Sequence, residues 1–204
     1  MKKLALTDFT KYRYPSALEL SPDGRYLTFA LKEVDREGDG YRWNLWLYDL
    51  ESRESRQITR GDHQRQAVWE DNTHILYKTT ELDEAMRARG FEEEWTVYHR
   101  LNVCTGEECE AFRLPMSVSG LWKMDEGRYV FTGETHLDRP NLLELTGEAL
   151  EKELVRRQQT KGYKVLTELP LCENGVGMFN QTRITLFLYL EATGEYRRIT
   201  PEDY

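Results

Sequence analysis

Cysteine is scarce in this chain of 204 residues. There are 3, Cys104, Cys109 and Cys172, an odd number whose spacing matches neither a Cys-x-x-Cys redox pair nor a zinc knuckle. They are expected to be buried or half-buried thiols in a reducing compartment. Histidine is also sparse. His63, His74, His99 and His136 show no His-x-His or His-x-x-x-His spacing, so neither a metal site nor a cofactor is expected. Long apolar runs are missing. Behind Met1-Lys2-Lys3 only Leu4-Ala5-Leu6 precedes Thr7 and Asp8, too little for the core of a signal peptide. The later run from Leu186 to Leu190 falls far short of the roughly 20 residues that cross a bilayer. A soluble, cytoplasmic protein without membrane contact is therefore expected. An excess of positive charge is lacking too: 28 Lys and Arg stand against 36 Asp and Glu, a net charge of −8. Nucleic-acid binding, which needs clustered cations to displace phosphate counterions, is not expected.

Aromatic side chains are abundant. With 5 Trp, 12 Tyr and 7 Phe, the chain has too much apolar surface to remain unfolded in water. These residues fall in a repeated pattern. Leu20-Ser21-Pro22-Asp23-Gly24-Arg25-Tyr26-Leu27-Thr28-Phe29-Ala30, Val68-Trp69-Glu70-Asp71-Asn72-Thr73-His74-Ile75-Leu76-Tyr77-Lys78 and Leu121-Trp122-Lys123-Met124-Asp125-Glu126-Gly127-Arg128-Tyr129-Val130-Phe131-Thr132 share one layout. Each has an apolar start, a polar turn around an Asp, and an apolar strand, which reads as a hairpin.

A second hairpin follows each copy. Asn44 to Leu50 turns into Arg56 to Thr59, Trp95 to Val103 turns into Glu110 to Leu114, and Thr185 to Leu190 turns into Tyr196 to Thr200. Thr-Gly-Glu marks the last two of these turns. Two hairpins make four short antiparallel strands, and the first-turn Asp returns at 23, 71 and 125, a period of about 50 residues that suits a propeller blade. The fold class predicted is all-β: a partial β-propeller of about three four-stranded blades. Blade 1 covers about 14–60, blade 2 about 64–114 and blade 3 about 117–200, in one domain. A β-sandwich is the alternative. Strands such as Leu45 to Leu50 and Leu186 to Leu190 are apolar on both faces, as sheets packed on two sides require.

Two helical pieces are predicted. Glu148 to Gln159 follows a candidate N-cap, Thr146, and carries Leu150 and Leu154 on one stripe, an insertion in blade 3 over about 147–160. Its Glu148–Lys152 and Glu153–Arg157 pairs have favourable spacing. A second piece spans Leu82 to Arg89 and closes at Gly90.

The succession Ala17-Leu18-Glu19-Leu20-Ser21-Pro22-Asp23-Gly24-Arg25-Tyr26, Asn44-Leu45-Trp46-Leu47-Tyr48-Asp49-Leu50 and Arg56-Gln57-Ile58-Thr59 resembles a propeller blade of the prolyl oligopeptidase family of serine peptidases. Thr167-Glu168-Leu169-Pro170, Glu173-Asn174-Gly175-Val176-Gly177-Met178-Phe179 and Leu186-Phe187-Leu188-Tyr189 are similar to a segment of its acylaminoacyl-peptidase and dipeptidyl-aminopeptidase-like branch. The resemblance implies an N-terminal propeller above a C-terminal α/β-hydrolase domain with a Ser-Asp-His triad and a Gly-x-Ser-x-Gly elbow. No Gly-x-Ser-x-Gly occurs here, so the chain corresponds to part of the propeller and carries no catalytic residue of that kind. The parent enzyme implied is a serine peptidase. This segment would limit its access to short peptides, with the hydrolase domain as partner. A stand-alone protein-interaction module is the rival reading.

Candidate sites are few. Glu92-Glu93-Glu94 precedes a strand. Paired glutamates on a propeller loop hold the substrate's amino terminus in some dipeptidyl peptidases of the wider family, so the resemblance makes these three candidate substrate-binding residues. A solvated charge run is the alternative. Gly175-Val176-Gly177 lacks the third glycine and following helix of a phosphate loop, and Asn180-Gln181-Thr182 fits a glycosylation sequon by chance. Three blades expose an apolar face at each end, so homo-oligomerisation is expected, through Trp46 and Tyr48 or through Phe187 and Tyr189.

Overall fold

The computed structural model describes residues 5, 7–162, 171–173, 177–179 and 181–201. After a short 3-10 turn at Asp8–Lys11, strands β1 (Tyr14–Leu20), β2 (Tyr26–Asp35), β3 (Gly40–Asp49) and β4 (Glu54–Gln57) form one antiparallel sheet in chain order. Strands β5 (Ala67–Trp69), β6 (His74–Leu82), β7 (Glu94–Asn102) and β8 (Glu108–Leu114) form a second, with helix α1 (Glu84–Ala88) between β6 and β7. Next come β9 (Val118–Asp125), β10 (Arg128–His136), helix α2 (Gly147–Thr160), the short pair β11 (Leu171–Glu173) and β12 (Gly177–Phe179), then β13 (Thr182–Leu190) and β14 (Glu195–Arg198). The third sheet has the order β14-β13-β10-β9, so α2 and the short pair are an insertion inside it. Three four-stranded antiparallel sheets with a helical insertion in the third make a partial β-propeller, as the repeat predicts.

The turns show why these hairpins form. Asp23 accepts from Ser21 Oγ at 2.6 Å and from the Arg25 N–H at 3.1 Å. Asp71 accepts from the N–H groups of Thr73 and His74, both at 2.7 Å. Partial burial raises the Asp71 pKa, but these donors outweigh it and bring the carboxyl down to about 2. In the third copy Asp125 pairs with the Arg128 guanidinium instead. The two Thr-Gly-Glu turns place Gly106 at φ +79° and Gly194 at φ +70°, a region open to glycine without a Cβ penalty.

The described residues divide into two compact units, Met1–Thr79 with Val97–Arg113, and Thr80–Thr96 with Leu114–Tyr204. In the first, Ala30, Leu45 and Leu47 pack against Ala67, Trp69, Ile75 and Tyr77. The Trp69 indole donates to the Glu19 carbonyl at 3.1 Å. Strand β3 is not equally buried on its two faces: Leu45 and Leu47 are in the core, while Trp46 and Tyr48 are half-buried. In the second unit Phe131 and Phe187 stack with centroids 5.0 Å apart, and Tyr196 meets both rings edge-on. Leu154 of α2 joins Met86 and Leu142 in a smaller cluster, against which Leu150 also packs.

Several expectations are corrected. Cys104 and Cys109 are exposed, because both sit on or beside the β7–β8 turn rather than on an inward strand face. Helix α1 starts at Glu84, not Leu82: β6 continues through Leu82, and Asp83 caps the helix by accepting from the Met86 N–H at 2.9 Å. Thr146 has the extended backbone of an N-cap but makes no side-chain capping bond. Of the two helical charge pairs, Glu153–Arg157 forms, at 3.0 Å. Phe187 and Tyr189 cannot be an exposed contact face, since they are core residues of the third sheet. Thr167 to Pro170, Asn174 to Val176 and Asn180 lie outside the described residues, so the family-like Glu-Asn-Gly segment and the sequon fall largely there.

Candidate functional site

The second unit contains a cavity of about 540 Å³ whose wall includes Glu92, Glu93 and Glu94. The loop carrying them is held from both sides. The Asp83 N–H donates to the Glu93 carbonyl at 2.8 Å, and the Trp95 indole donates to Asp83 Oδ2 at 2.9 Å. Glu93 then meets Arg157 of α2 at 2.7 Å, and Arg157 also holds Glu153. Arg89 and Glu151 tie the end of α1 to α2 with a two-bond fork, at 2.9 and 2.6 Å. The three consecutive glutamates therefore differ. Glu93 is neutralised by Arg157, while Glu92 and Glu94 are exposed and have no ion pair among the described residues.

The apolar wall comes from Met116 and Phe187, both buried. Thr96 fixes the first of these: its hydroxyl donates to the Met116 carbonyl at 2.7 Å and accepts from the Val118 N–H at 3.2 Å. A Cβ at Gly133 would lie 2.5 Å from Met116 Sδ and 3.3 Å from the Phe187 ring, so only glycine lets both side chains close there.

The remaining wall carries both signs of charge, with Arg139 and Arg198 beside Glu134 and Glu144, and Glu134 lies 3.9 Å from His136 Nε2. His136 sits between Arg139 and Thr182: an Arg139 N–H donates to Nε2 at 3.0 Å, and Nδ1 lies 3.2 Å from the Thr182 hydroxyl. Because a guanidinium only donates, His136 must be neutral with its proton on Nδ1. Burial, reinforced by Arg139, holds its pKa below the ordinary histidine value. Arg198 donates to the Pro201 carbonyl at 2.8 Å and lies 3.4 Å from the Thr200 hydroxyl. Neither Arg139 nor Arg198 has a carboxylate partner among the described residues.

The arrangement can bind charged groups. His136 faces Arg139 and Thr182, not a serine. His74 pairs with Asp71 at 2.9 Å, and His99 stacks on Tyr77. Among the described residues no group of three His, Cys, Asp or Glu side chains could hold a metal ion. Sequence reasoning singled out the glutamates but not His136, Arg139, Arg157 or Arg198. The Glu93–Arg157 partnership spans 64 residues, and only its local half, the Glu153–Arg157 spacing, is visible in the sequence. A second cavity of about 320 Å³, in the first unit, is lined by Arg56, Arg60, Tyr77 and Glu108 among others, and there Tyr77 already donates to Glu108 at 2.6 Å.

No family profile matches the sequence, and no curated protein matches it. Solved structures do. An acylaminoacyl peptidase from Pyrococcus horikoshii aligns with a TM-score of 0.62 at 12% identity, over 94% of this chain and 26% of its own. The AtxE2 isopeptidase aligns at 0.54 with 17% identity, over 91% of this chain and 29% of its own. The tricorn protease aligns at 0.52 with 11% identity, over 91% of this chain and 18% of its own. This is a fold shared with peptidases. At such identities the likeness concerns architecture, and the chain spans only about a quarter of the acylaminoacyl peptidase it matches.

Proposed function

We propose that this chain is the non-catalytic N-terminal propeller segment of a serine peptidase of the acylaminoacyl-peptidase or dipeptidyl-peptidase kind. It gates the passage of short peptides to an α/β-hydrolase domain, and it acts in the cytoplasm. Glu92 and Glu94 receive the peptide's free amino group. The observation that carries this reading is the unequal treatment of the three glutamates. Arg157 neutralises the middle one, and the flanking two are left charged on the wall of a cavity large enough for a short peptide. Two carboxylates facing one ammonium give charge-assisted hydrogen bonds that a blocked terminus cannot make. The solved peptidases of like fold support the association with peptide chemistry, and the exposed thiols of Cys104 and Cys109 suit a reducing compartment.

The first test is the coding sequence that follows the codon for Tyr204. A Gly-x-Ser-x-Gly motif succeeded by Asp and His supports the reading, and an immediate stop codon removes it. The second is chemical. The isolated chain should not turn over aminoacyl esters, and a serine-directed fluorophosphonate should label none of its serines. Inhibitor-sensitive turnover mapped to a serine here would place the chemistry in this chain instead.

A further inference from the structure

The same cavity is also lined by Arg139 and Arg198, beside Glu134 and Glu144, and the chemistry of the two arginines is opposite to that of the glutamates. Among the described residues Arg139 uses an N–H on His136 Nε2, a neutral acceptor, and Arg198 meets a carbonyl and a hydroxyl but no carboxylate. A guanidinium has five N–H donors in a planar fork that matches a carboxylate. Both arginines therefore keep their full charge and unused donors. Arg157, on the same wall, is fully engaged by Glu93, Glu153 and the Pro140 carbonyl. Met116 and Phe187 give the same wall an apolar strip of the kind a peptide side chain packs on.

We propose that Arg139 and Arg198 supply the carboxylate-binding donors of this cavity, so that its ligand is a short peptide with both termini free. The proposal rests on the reading of Glu92 and Glu94 as the amine end, and it makes the site zwitterionic. His136 is a positioning residue: it holds the Arg139 fork from outside, through Nε2, and Thr182 in turn orients the ring through Nδ1. The cavity then discriminates by terminus, since a C-terminal amide cannot accept a two-bond guanidinium fork with matching charge.

Two half-ligands separate the two ends. N-acetylphenylalanine carries a carboxylate and no amine, and phenylalaninamide carries an amine and no carboxylate. Each is titrated into the full 204-residue chain while the arginine Nε–Hε resonances and the calorimetric heat are followed. N-acetylphenylalanine is expected to shift the Arg139 and Arg198 signals, and Arg198→Gln is expected to weaken its binding by about tenfold while leaving phenylalaninamide unaffected. Arg198→Lys retains the charge without the fork and is expected to fall between the two. It also serves if the glutamine variant fails to fold. Absence of any shift at both arginines, or unchanged affinity for N-acetylphenylalanine in both variants, overturns the proposal. Failure of phenylalaninamide to bind overturns the amine end alone.

Discussion

Glu93 and Arg157 stand 2.7 Å apart, joining the loop before β7 to helix α2, with side chains only 22% and 11% exposed. That pair decides what the run of three glutamates can do. It spends the middle carboxylate on structure and leaves its neighbours for solvent or ligand.

Replacing Glu93 with Gln should therefore destabilise the chain, by about 1–3 kcal/mol, because a largely buried guanidinium loses one of its two carboxylates. Glu92→Gln and Glu94→Gln should leave the thermal midpoint unchanged and weaken phenylalaninamide binding. Calorimetric melting and ligand titration read the two effects separately. Equal melting shifts for all three variants would remove the distinction on which the site is built.

The run of glutamates was legible in the sequence, but the asymmetry within it was not. Turn chemistry is local: Asp23, Asp71, Gly106 and Gly194 announce their hairpins through side-chain bonds and positive φ values that involve only near neighbours. Four-stranded units spaced by about 50 residues follow from those turns. Partners brought together by the fold carry no such signature. Nothing near Glu93 points to residue 157, and nothing near Arg139 says that its acceptor is a neutral imidazole. The exposed Cys104 and Cys109 fail the general burial tendency of cysteine for the same reason, since position on a turn overrides composition.

Thr96 should prove as important to the cavity wall as any charged group. Its buried hydroxyl serves the Met116 carbonyl and the Val118 N–H at once. Thr96→Val keeps the shape and removes both bonds, at a cost of about 1–3 kcal/mol. Denaturant unfolding measures this. Thr96→Ser should recover most of the loss, and a valine variant of wild-type stability would mean that the Thr96 hydroxyl contributes nothing to the wall.

His136 makes the second unit sensitive to mild acid. Its folded-state pKa lies below the ordinary value of 6.5, through burial and the adjacent Arg139, with Arg157 adding to the shift and Glu134 and Asp138 opposing it. The unfolded chain therefore takes up the proton first. Stability contributed by the neutral ring is fully present above about pH 6.5 and declines as the pH falls through that value towards the folded pKa. Protonation also turns the Nε2 acceptor into a donor facing the Arg139 guanidinium, so N-acetylphenylalanine binding should change over the same interval. Histidine Cε1–H shifts followed from pH 7.5 to 4.5 would locate the titration, with His136→Gln as the control that flattens both profiles. A His136 midpoint above 6.5 would reverse the sign and contradict the assigned tautomer.

Self-association is the remaining expectation, and the structure changes the residues that would carry it. In the third sheet Phe187 and Tyr189 are only 6% and 4% exposed, so the open side must be the other one. There the pairing sets Trp122 opposite Val130 and Val130 opposite Leu188, with Leu186 and Ile184 continuing the row along β13. Trp122 and Ile184 are 52% and 59% exposed. In the first sheet Leu20, Leu27 and Tyr48 stand in register beside Phe29 and Trp46, and Leu18 and Leu20 are largely exposed. Contiguous apolar surface of this kind favours association. Competing costs of lost rotational freedom and side-chain ordering place the expected dissociation constant on the order of 1–100 μM. Light scattering behind size-exclusion chromatography at rising concentration should show the mass climbing above 24.2 kDa. Trp122→Lys and Leu20→Lys test the two faces separately, because a charge placed in an apolar contact must be desolvated for the contact to form. If one variant restores the monomer and the other does not, a single face pairs with itself, as a two-fold dimer requires. If either alone suffices, the two faces meet each other head to tail. A wild-type chain that stays folded and strictly monomeric at high concentration would mean that these half-exposed rows tolerate water.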